Sequence, residues 1–374
     1  MPEISYNLYI NDQPASQEIL AAVQKIEVED HANMADMLGL QMAIAMGDKV
    51  KGWTALDEDI FQRLSKIKIE IVIGSSKPKP LIDSYVIETS AQFSNEPGKS
   101  LLKVIAMDST VLMNLDEKVR PWPNMADSDI ATTIFQEYGM EPVVDSTQPS
   151  RQDVDTTTIQ RETDIQFLKR LSDRYGYDCY VDLNSQSGKA EGHFHKPKLD
   201  APPQGVLTVN MGSETNVNSF KSRYEMLRPI TAQVTGLDIE TQENQPASAE
   251  SASYVSLGKE SLAAKDRPRK VLLSHSGLVQ TGELNTYAQA MVDESSWAII
   301  AEGELNTVAY GGVLKAKSPI LVRGAGNLFS GLYYIEKVLH IISGNGYVQR
   351  FSLKRNAIGL TKKENFAEDK SIES

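Results

Sequence analysis

The sequence predicts an α+β fold that is mainly β, with an α/β region between two β regions. Three observations indicate this order. Before residue 108, hydrophobic and polar residues alternate in several segments, a period of two that is typical of half-buried strands. In the middle of the chain, apolar residues recur at three- and four-residue steps, and these helical segments each end at a Tyr-Gly pair. Alternation returns near the C terminus, where Ser343-Gly344-Asn345-Gly346 indicates a tight turn between two strands.

The composition and the charge exclude several classes of protein. The 374 residues are enough for two or three domains, and 41% hydrophobic with 24% charged residues is typical of a globular chain. No apolar run approaches the roughly 18–20 residues of a membrane span, and the N terminus, with Glu3 and no apolar core, lacks the pattern of a signal peptide. Cys179 is the only cysteine, which excludes an intrachain disulfide framework and a cysteine-based zinc cluster. We therefore expect synthesis in the cytoplasm, without a membrane span. The net charge of −12 argues against sequence-specific nucleic-acid binding.

The first region, residues 1–108, is predicted to be a β-barrel domain. Its strands are expected at Ile4–Ile10, Val23–Glu29, Met37–Met46, Ile67–Ile73, Leu81–Phe93 and Leu101–Met107. A short helix is expected around Asp57–Leu64. Asn95, Pro97 and Gly98 separate the last two strands and indicate a hairpin with a longer loop. About six strands are enough to close a small barrel or a sandwich.

The middle region, residues 109–205, is predicted to be an α/β domain. Asp127 or Ser128 can cap a helix that Gly139 ends, and a strand through Val143 and Val144 follows. The same order of helix, Tyr-Gly and strand recurs from residue 163 to residue 183. A duplication would explain the recurrence, but so would a shared local rule, in which a glycine ends each helix and a strand then returns. Residues 185–205 are polar and contain three prolines, which indicates a domain edge.

Residues 161–183, with the sequence RETDIQFLKRLSDRYGYDCYVDL, combine several helix signals. Thr163 is predicted to be the N-cap residue, and Gln166 completes a capping box with it. Asp164 in the first turn and Arg170 near the last turn suit the helix dipole. The apolar stripe of this helix consists of Ile165, Leu168, Leu171 and Tyr175.

A strand is predicted directly after this helix. Gly176 is expected to take the left-handed C′ position at the helix end. In the strand, Tyr177, Cys179, Val181 and Leu183 face one way, and the residues between them face the other way. Cys179 lies on the inward-facing set, so we expect an inert buried thiol rather than a nucleophile.

The last region returns to β structure. Residues 206–240 and 300–356 are predicted to form a second β-barrel domain, while residues 241–299 join the α/β domain. Strands are expected through Leu207 and Val209, over Phe220–Leu237, and at Ile320–Val322, Leu332–Ile342 and Tyr347–Leu353, with an amphipathic helix at Thr286–Ala298. The polar stretch 240–270 is predicted to be a loop or a partly disordered insert, and residues 357–374 to be a charged C-terminal tail.

No catalytic, cofactor-binding or metal site is predicted. His193 and His195 would share one face of a strand, as two metal ligands could, but no third ligand is evident, and two exposed strand residues explain them better. His340 is expected to be a satisfied, partly buried strand residue. Ser274-His275-Ser276-Gly277 lacks the elbow and the partner acid of a hydrolase. Gly324-x-Gly326 lacks the third glycine and the following helix of a dinucleotide loop, so it is predicted to be a turn.

Three stretches of the chain resemble one known family, and the first of them is Leu81–Tyr138, two strands followed by Asp108 and a helix that ends in Tyr-Gly. The pattern Arg161-x-Thr163-Asp164-x-x-Phe167-Leu168-x-Arg170-Leu171, running into Tyr175-Gly176-Tyr177, resembles the signature of the phage late-control D proteins, which form the hub of contractile tails. The same module opens the VgrG spike proteins of type VI secretion. Toward the C terminus, Gly331-x-Tyr333, Val338-x-His340 and Phe351-x-Leu353 are similar to the end of that module. The family is structural, so the resemblance implies no enzyme activity and no cofactor.

The resemblance implies the role of a baseplate hub in a phage tail or a contractile injection system. In this family, two similar barrel domains in each chain let a homotrimer form a ring of six barrels around a channel, which joins the hexameric tail tube to the central spike. The implied partners are the tail tube protein, the spike and other baseplate components, assembled into a phage tail or injection particle. Because the sequence ends at Ser374 without needle-like repeats, we expect the spike to be a separate polypeptide. The acidic balance is expected to line the channel. The alternatives are a tube or adaptor subunit and a tail-associated cell-wall hydrolase.

Overall fold

The computed structural model describes residues 4–46, 53, 55–56, 60–96, 98–147, 157–184, 187–237, 243–262, 269–274 and 281–366. The first region contains β1 Ile4–Ile10, β2 Gln13–Pro14, α1 Gln17–Ala22, β3 Val23–His31, β4 Met37–Ala43, β5 Lys66–Ile73, β6 Lys79–Gln92 and β7 Leu101–Met107. The middle region contains β8 Glu117–Trp122, α2 Asp127–Glu137, β9 Glu141–Val144, β10 Thr158–Thr163, α3 Asp164–Asp173, β11 Asp178–Leu183 and β12 Ala190–His195. The last region contains β13 Val206–Thr208, β14 Val217–Tyr224, β15 Ile230–Leu237, β16 Asn244–Ala249, β17 Glu260–Ser261, β18 Arg269–Ser274, α4 Thr281–Ser295, β19 Ile299–Leu305, α5 Thr307–Tyr310, β20 Pro319–Arg323, α6 Gly326–Phe329, β21 Gly331–Ser343, β22 Gly346–Arg355 and β23 Ala357–Ile358.

One sheet of thirteen strands runs through both β regions. Its main path is β14-β19-β22-β21-β3-β4-β7-β6-β5-β1-β2, and β20 with β13 extends it from β21. The two regions join where β3 pairs antiparallel with β21, from Lys25 opposite Ser343 to His31 opposite Lys337. The predicted mainly-β fold is therefore confirmed. The path is open at β14 and β2, however, and the strands in the described part of the chain form no closed barrel.

Each β region builds its own hydrophobic core on this sheet. In β5, the alternation seen in the sequence buries Ile67, Ile69 and Ile71, which are at most 1% exposed. These residues belong to the first core, which also takes Ile342 and Tyr347 from the ends of β21 and β22. The second core lies on β19 to β22, and it shares no residue with the first. Burying an aliphatic side chain of this kind contributes about 1.5–3 kcal/mol.

The middle region is a separate α/β unit beside the sheet. Helices α2 and α3 pack against a three-stranded sheet of order β11-β12-β9, in which β12 and β9 are parallel. A two-stranded ribbon, β8 with β10, leads into α3. A further small sheet, β16-β15-β18, packs against α4 through Leu284, Ala288 and Val292. The predicted amphipathic helix is thus confirmed, but it begins earlier, at Thr281.

Several local predictions match the structure closely, whereas others are wrong. The strands Ile4–Ile10 and Leu101–Met107 are confirmed to the residue. Of the helix predicted around Asp57–Leu64, residues 57–59 lie outside the described residues, and residues 60–64 form turns. A helix forms instead at Gln17–Ala22, where the Ser16 hydroxyl accepts a hydrogen bond from the Ile19 amide at 3.2 Å. This Ser cap was not predicted from the sequence.

The polar stretch 240–270 is also more ordered than predicted. Within residues 243–262, β16 pairs antiparallel with β15, and Tyr254 and Leu257 are buried against Trp297. Its few apolar residues are buried by partners distant in sequence, which local composition does not reveal. The boundaries of the two predicted barrel domains remain predictions.

Candidate functional site at the junction of the three regions

Thr163 lies at the N-cap of α3, as predicted, but the capping box does not form. The Thr163 hydroxyl donates instead to Asn114 Oδ1 at 2.7 Å, and no side-chain hydrogen bond of Thr163 caps the helix. Gln166 is exposed. Asn114, which is distant in sequence, therefore replaces the local partner predicted for the Thr163 hydroxyl.

Asp164 is 1% exposed and collects three donors at the first turn of α3. Its Oδ2 accepts hydrogen bonds from the Lys118 ammonium and from the Tyr138 hydroxyl, the latter at 2.7 Å. Its Oδ1 accepts from Gln160 Nε2 at 2.7 Å. Burial by itself raises the pKa of Asp164, but these hydrogen bonds outweigh burial and hold that pKa below its usual range. The carboxylate thus ties α3 to α2 and to the β8–β10 ribbon.

The remaining signature residues of this segment divide into a buried and an exposed set. Four of them are buried in the α/β core: Phe167, Leu168, Leu171 and Tyr177. Arg161 and Arg170 are exposed, and Arg170 Nε donates to Glu162 Oε1 at 2.6 Å. The buried set packs within the helix unit, whereas the two arginines lie at its surface.

Gly176 has a φ of +64°, which confirms the predicted left-handed conformation. Because α3 ends at Asp173 with a cap at Arg174, Gly176 lies one position beyond the predicted C′. A Cβ atom at Gly176 would lie 2.9 Å from the Tyr254 hydroxyl, which donates to the Gly176 carbonyl at 2.6 Å. The neighbouring Tyr175 donates to Asp127 Oδ2 at 3.0 Å. A glycine is therefore needed both for backbone conformation and for packing.

Gly331 and Tyr333 surround a buried cation, Arg355. A Cβ atom at Gly331, where φ is +137°, would lie 2.4 Å from Arg355 Nη2. The Tyr333 ring centroid is 5.5 Å from Arg355 Cζ. The guanidinium group donates to the backbone carbonyls of Ser330, Gly359 and Leu257, at 2.7, 2.8 and 3.3 Å. Arg355 therefore fastens three chain segments together, a role that the sequence analysis did not identify.

His340 lies on β21, opposite Val28 of β3, at the seam between the two β regions. It is 1% exposed rather than partly buried as predicted. Its Nδ1 is 2.7 Å from the Tyr347 hydroxyl, while its Nε2 has no hydrogen-bond partner among the described residues. Burial lowers the pKa of His340 to about 3, so the ring is neutral near pH 7.

A buried group of charged residues joins the first and last regions. We call Asp30, Asp36, Asp108 and Lys317 the junction cluster; each is at most 8% exposed. The Lys317 ammonium lies 2.7 Å from Asp30 Oδ1 and 3.0 Å from Asp36 Oδ2. Lys317 has a φ of +67°, a left-handed conformation that a lysine adopts when its surroundings enforce it.

Backbone amides complete the hydrogen bonds of the junction cluster. The amide of Asp36 donates to Asp108 Oδ2 at 2.7 Å, and the amide of His31 donates to Asp36 Oδ1 at 2.9 Å. The Thr110 amide donates to Asp108 Oδ1 at 2.9 Å. Burial raises the pKa of Asp36 and of Asp108. Burial acts in the same direction on Asp30, but the charges of Lys317 and Lys315 outweigh it and keep its pKa low.

The α/β region forms the third side of the junction cluster. The Tyr180 ring centroid lies 4.9 Å from the Lys317 ammonium. A cleft of about 630 Å³ opens beside the cluster, and its lining includes Asp36, Asp108 and Asp182. No motif in the sequence connects these residues, because each belongs to a different element.

His193 and His195 are buried, so the prediction of two exposed strand residues is wrong. His193 stacks on Tyr180 with ring centroids 4.4 Å apart, and His193 Nδ1 lies 3.1 Å from His195 Nε2. Burial lowers the pKa of His193 to about 3. The two histidines lie on the same strand face, as predicted, but they pack against the junction rather than toward solvent.

The remaining predicted features lie in β11, in β18 and in the turn before β21. Cys179 is fully buried, and burial raises the pKa of its thiol to about 12. Ser274 ends β18, and residues 275–277 of that motif lie outside the described residues. Gly324 and Gly326 have φ angles of +82° and +75°, as a turn requires, although the four-residue helix α6 does follow them.

In the described part of the chain, no group of three or more His, Cys, Asp or Glu side chains is placed to hold a metal ion. Among the helices for which coordinates are described, none is long and apolar enough to cross a membrane.

Large apolar side chains are exposed at several places. The most exposed are Leu227 at 84%, Val119 at 83%, Met226 at 69% and Leu272 at 69%. Met226 and Leu227 lie together in the turn between β14 and β15. Adjacent exposed apolar residues of this kind are typical of contact surfaces.

The fold is shared with tail proteins of known structure. The 43 kDa tail protein of prophage MuSo2 from Shewanella oneidensis matches with a TM-score of 0.66 and 15% identity, covering 95% of this chain and 99% of that protein. A tail protein from Neisseria meningitidis MC58 matches with a TM-score of 0.65 and 11% identity, covering 95% and 98%. The E. coli c3393 protein, a component of the type VI secretion system, matches with a TM-score of 0.57 and 13% identity, covering 94% and 78%. At these identities the likeness shows a common fold.

The sequence comparisons give a family but no individual relative. No curated protein sequence matches this chain. The family model described as the Alg8 N-terminal domain matches residues 4–344, which is more than half of the chain. The late-control D family suggested by the signature residues stays a prediction. By the extent of the match, the chain belongs to the Alg8 N-terminal domain family.

Proposed function

We propose that this chain is a structural hub subunit of a phage tail or contractile injection baseplate. The observation that carries the proposal is the fold, which extends over nearly the full length of two phage-type tail proteins and much of a type VI secretion component. The order of the signature residues, from Arg161 to Tyr177 and then from Gly331 to His340, supports the same role.

The proposed assembly is a homotrimer in which each chain supplies two similar β units. One feature of the chain supports it. The large sheet carries two separate hydrophobic cores, one in each β region. The first unit would correspond to residues 1–108 and the second to residues 206–240 with 300–356. Three copies would then present six β units to a hexameric tube and threefold symmetry to a spike.

The contacts between copies are proposed to use the open ends of the sheet and the exposed apolar turn. The outer edge of β14 leaves backbone groups facing away from its partner β19, and β1 lies near the other end of the path. Edge strands readily pair with a strand of another chain. Stable rings need large contacts, on the order of 2,000 Å². Met226 and Leu227, beside the β14 edge, would add apolar area to such a contact.

The proposed partners are a tail tube protein, a separate spike protein and other baseplate components, and the proposed place is the assembled particle. Two of the structures similar in fold are complexes of VgrG with PdpA from Francisella, with TM-scores of 0.55 and 0.51. We propose no catalytic step for the chain. A peptidoglycan assay on the purified protein tests this, and turnover that one carboxylate substitution abolishes would contradict it.

Native mass spectrometry of the purified full chain tests the proposed oligomer. A trimer is expected, and Leu227→Glu is expected to shift the population toward monomer, because it places a charge in an apolar contact. Gln136→Glu adds the same charge on the exposed face of α2 and should leave the trimer intact. A hexamer would favour a tube subunit instead. A monomer that persists when the tube and spike proteins are added would reject the hub role.

A further inference from the structure

The junction cluster connects the three regions of the chain through buried charges. Asp30 and Asp36 belong to the first β region, and Lys317 precedes β20 of the last one. Asp108 lies where the chain leaves β7 for the α/β region. Three carboxyl groups therefore share one ammonium group in a site where each residue is at most 8% exposed.

This arrangement has more negative than positive charge. Full ionisation would leave two carboxylates without a cation, and an uncompensated buried charge costs several kcal/mol. Amide donors from His31, Ala316 and Thr110 offset part of that cost. A proton bound within the cluster would remove one of the charges outright. The adjacent cleft, lined by Asp36 and Asp108, gives solvent access for that exchange.

We propose that the junction cluster is a proton-linked latch. With a proton held by the Asp36–Asp108 pair, the latch keeps the loop 32–36 closed against the α/β region, and loss of that proton as the pH rises loosens the contact. This inference concerns the folded chain itself and does not rest on the proposed hub function.

The direction of the pH dependence follows from the groups that face Asp36. Burial, with the charges of Asp30, Asp108 and Asp182, raises its pKa, and the opposing charge of Lys317 offsets only part of this. A carboxyl with a higher pKa in the closed state binds its proton more tightly there. The closed state is therefore favoured at low pH and loses stability as the pH rises through the raised pKa.

Two further cations and one ring complete these surroundings. Lys315 acts on Asp30, and the Tyr180 ring lies against Lys317. Lys169, from α3, donates to the carbonyl of Asn33 and so holds the same loop. Neither lysine forms an ion pair with the carboxylates of the cluster, because the ammonium group of Lys315 donates to the Leu81 carbonyl and that of Lys169 to the Asn33 carbonyl.

The chain contains its own reporter for the opening of this contact. Cys179 is the only cysteine and is fully buried. Its amide donates to Asn33 Oδ1 at 3.4 Å, and Cys179 lines a cavity of about 470 Å³ together with Met34 and Ala35. Release of the loop 32–36 would therefore expose the thiol.

The experiment measures the rate at which a maleimide labels Cys179 between about pH 5 and pH 9. Each rate is divided by that of the urea-unfolded chain at the same pH, which removes the ionisation of the thiol itself. For the wild-type chain, the normalised rate is expected to rise about tenfold for each unit by which the closed-state pKa exceeds the open-state pKa. A wild-type rate that changes less than about twofold would overturn the proposal.

Variants test whether the rise of the labelling rate with pH originates in the junction cluster. Asp36→Asn keeps the side-chain size but carries no charge at any pH, so its normalised rate should stay low and flat, and Asp108→Asn should flatten it as well. Glu88→Gln removes an exposed carboxyl from β6, and its labelling rate should rise with pH as that of the wild-type chain does. If Asp36→Asn does not fold, Asp108→Asn provides the same comparison. If a folded Asp36→Asn or Asp108→Asn variant keeps the full wild-type rise of the labelling rate with pH, the latch is rejected.

Discussion

The two β regions share one sheet, but they are held together differently. The first core consists mainly of aliphatic residues placed by strand alternation, such as Ile26, Leu40 and Ile69, each at 0% exposure. Besides the junction cluster, to which both regions contribute, the last region buries polar side chains that bind the backbone of other segments. These anchors are Asn216, Gln349, Arg355 and Asn356, each at most 3% exposed.

This difference predicts different responses to substitution. Apolar packing is non-directional, so a change of shape that keeps the volume costs little. A buried polar anchor is directional, and its loss leaves its partners without a hydrogen bond in a site closed to water. The first region should therefore tolerate conservative changes that the last region does not.

The largest effect is expected from Arg355→Met. The substitution leaves the Ser330, Gly359 and Leu257 carbonyls without their donor, so the free energy of unfolding should fall by about 3–5 kcal/mol. Urea titration measures this. Arg350→Met, on the same strand but 59% exposed in its side chain, is the control and should cost less than about 1 kcal/mol. Equal losses in the two variants would break the comparison.

Two glycines test the same contrast on the backbone. Gly331→Ala forces a Cβ toward the Arg355 guanidinium from a φ of +137° and should cost about 2–4 kcal/mol. Gly39→Ala on β4 has an ordinary φ, and its Cβ would lie 3.8 Å from that of Glu27. It should change stability by less than about 0.5 kcal/mol. Thermal unfolding of both variants measures these losses. A loss of stability in Gly39→Ala as large as that in Gly331→Ala would contradict the proposed difference between the two regions.

A pair of side-chain substitutions of similar size sharpens the comparison. Gln349 accepts from the Leu314 amide at 2.7 Å and donates to the Gly312 carbonyl at 2.9 Å. Gln349→Leu should therefore lower the free energy of unfolding by about 1–3 kcal/mol. Ile69→Leu, in the first core, should cost less than about 1.5 kcal/mol. If Ile69→Leu costs more stability than Gln349→Leu, the polar side chains of the last region do not depend on directional hydrogen bonds as proposed.

The seam between the regions should respond to acid. His340 has a pKa lowered to about 3 by burial, so the unfolded chain binds its proton first as the pH falls below about 6.5. Stability is then lost with falling pH, by up to about 1.4 kcal/mol per pH unit for this group. His340→Gln should make the loss shallower between about pH 6.5 and pH 4, measured by urea titration at each pH.

A residual acid dependence is expected in that variant. Burial lowers the pKa of His193 to about 3 as well, so its contribution remains when His340 is replaced. Asp178 acts in the opposite direction over a narrower range, because burial raises its pKa to about 6 and stability falls as the pH rises to that value. An unchanged slope in His340→Gln would show that the ring is not buried in the neutral form.

Much of the local structure could be predicted because its causes lie close together in the chain. The alternation of Lys66–Ile73 indicates which face is buried, and the glycine after Tyr175 indicates where the helix stops. The capping box at Thr163 could not be predicted correctly, because Asn114, a residue far from it in sequence, competes for the hydroxyl. The two histidines of β12 were misjudged for a related reason, since polar residues look exposed until a partner such as Tyr180 is placed over them.

The sequence by itself determined strands such as Ile4–Ile10 and Leu101–Met107, helix α3, the left-handed conformation of Gly176 and the alternation that buries the first core. These features depend on residues within a few positions of one another. Tertiary structure alone decided the pairing of β3 with β21, the carbonyl contacts of Arg355 and the junction cluster. Asp30 and Lys317 are 287 positions apart, and no local pattern encodes their contact. Their burial and charge balance exist only once the two β regions have joined in one sheet.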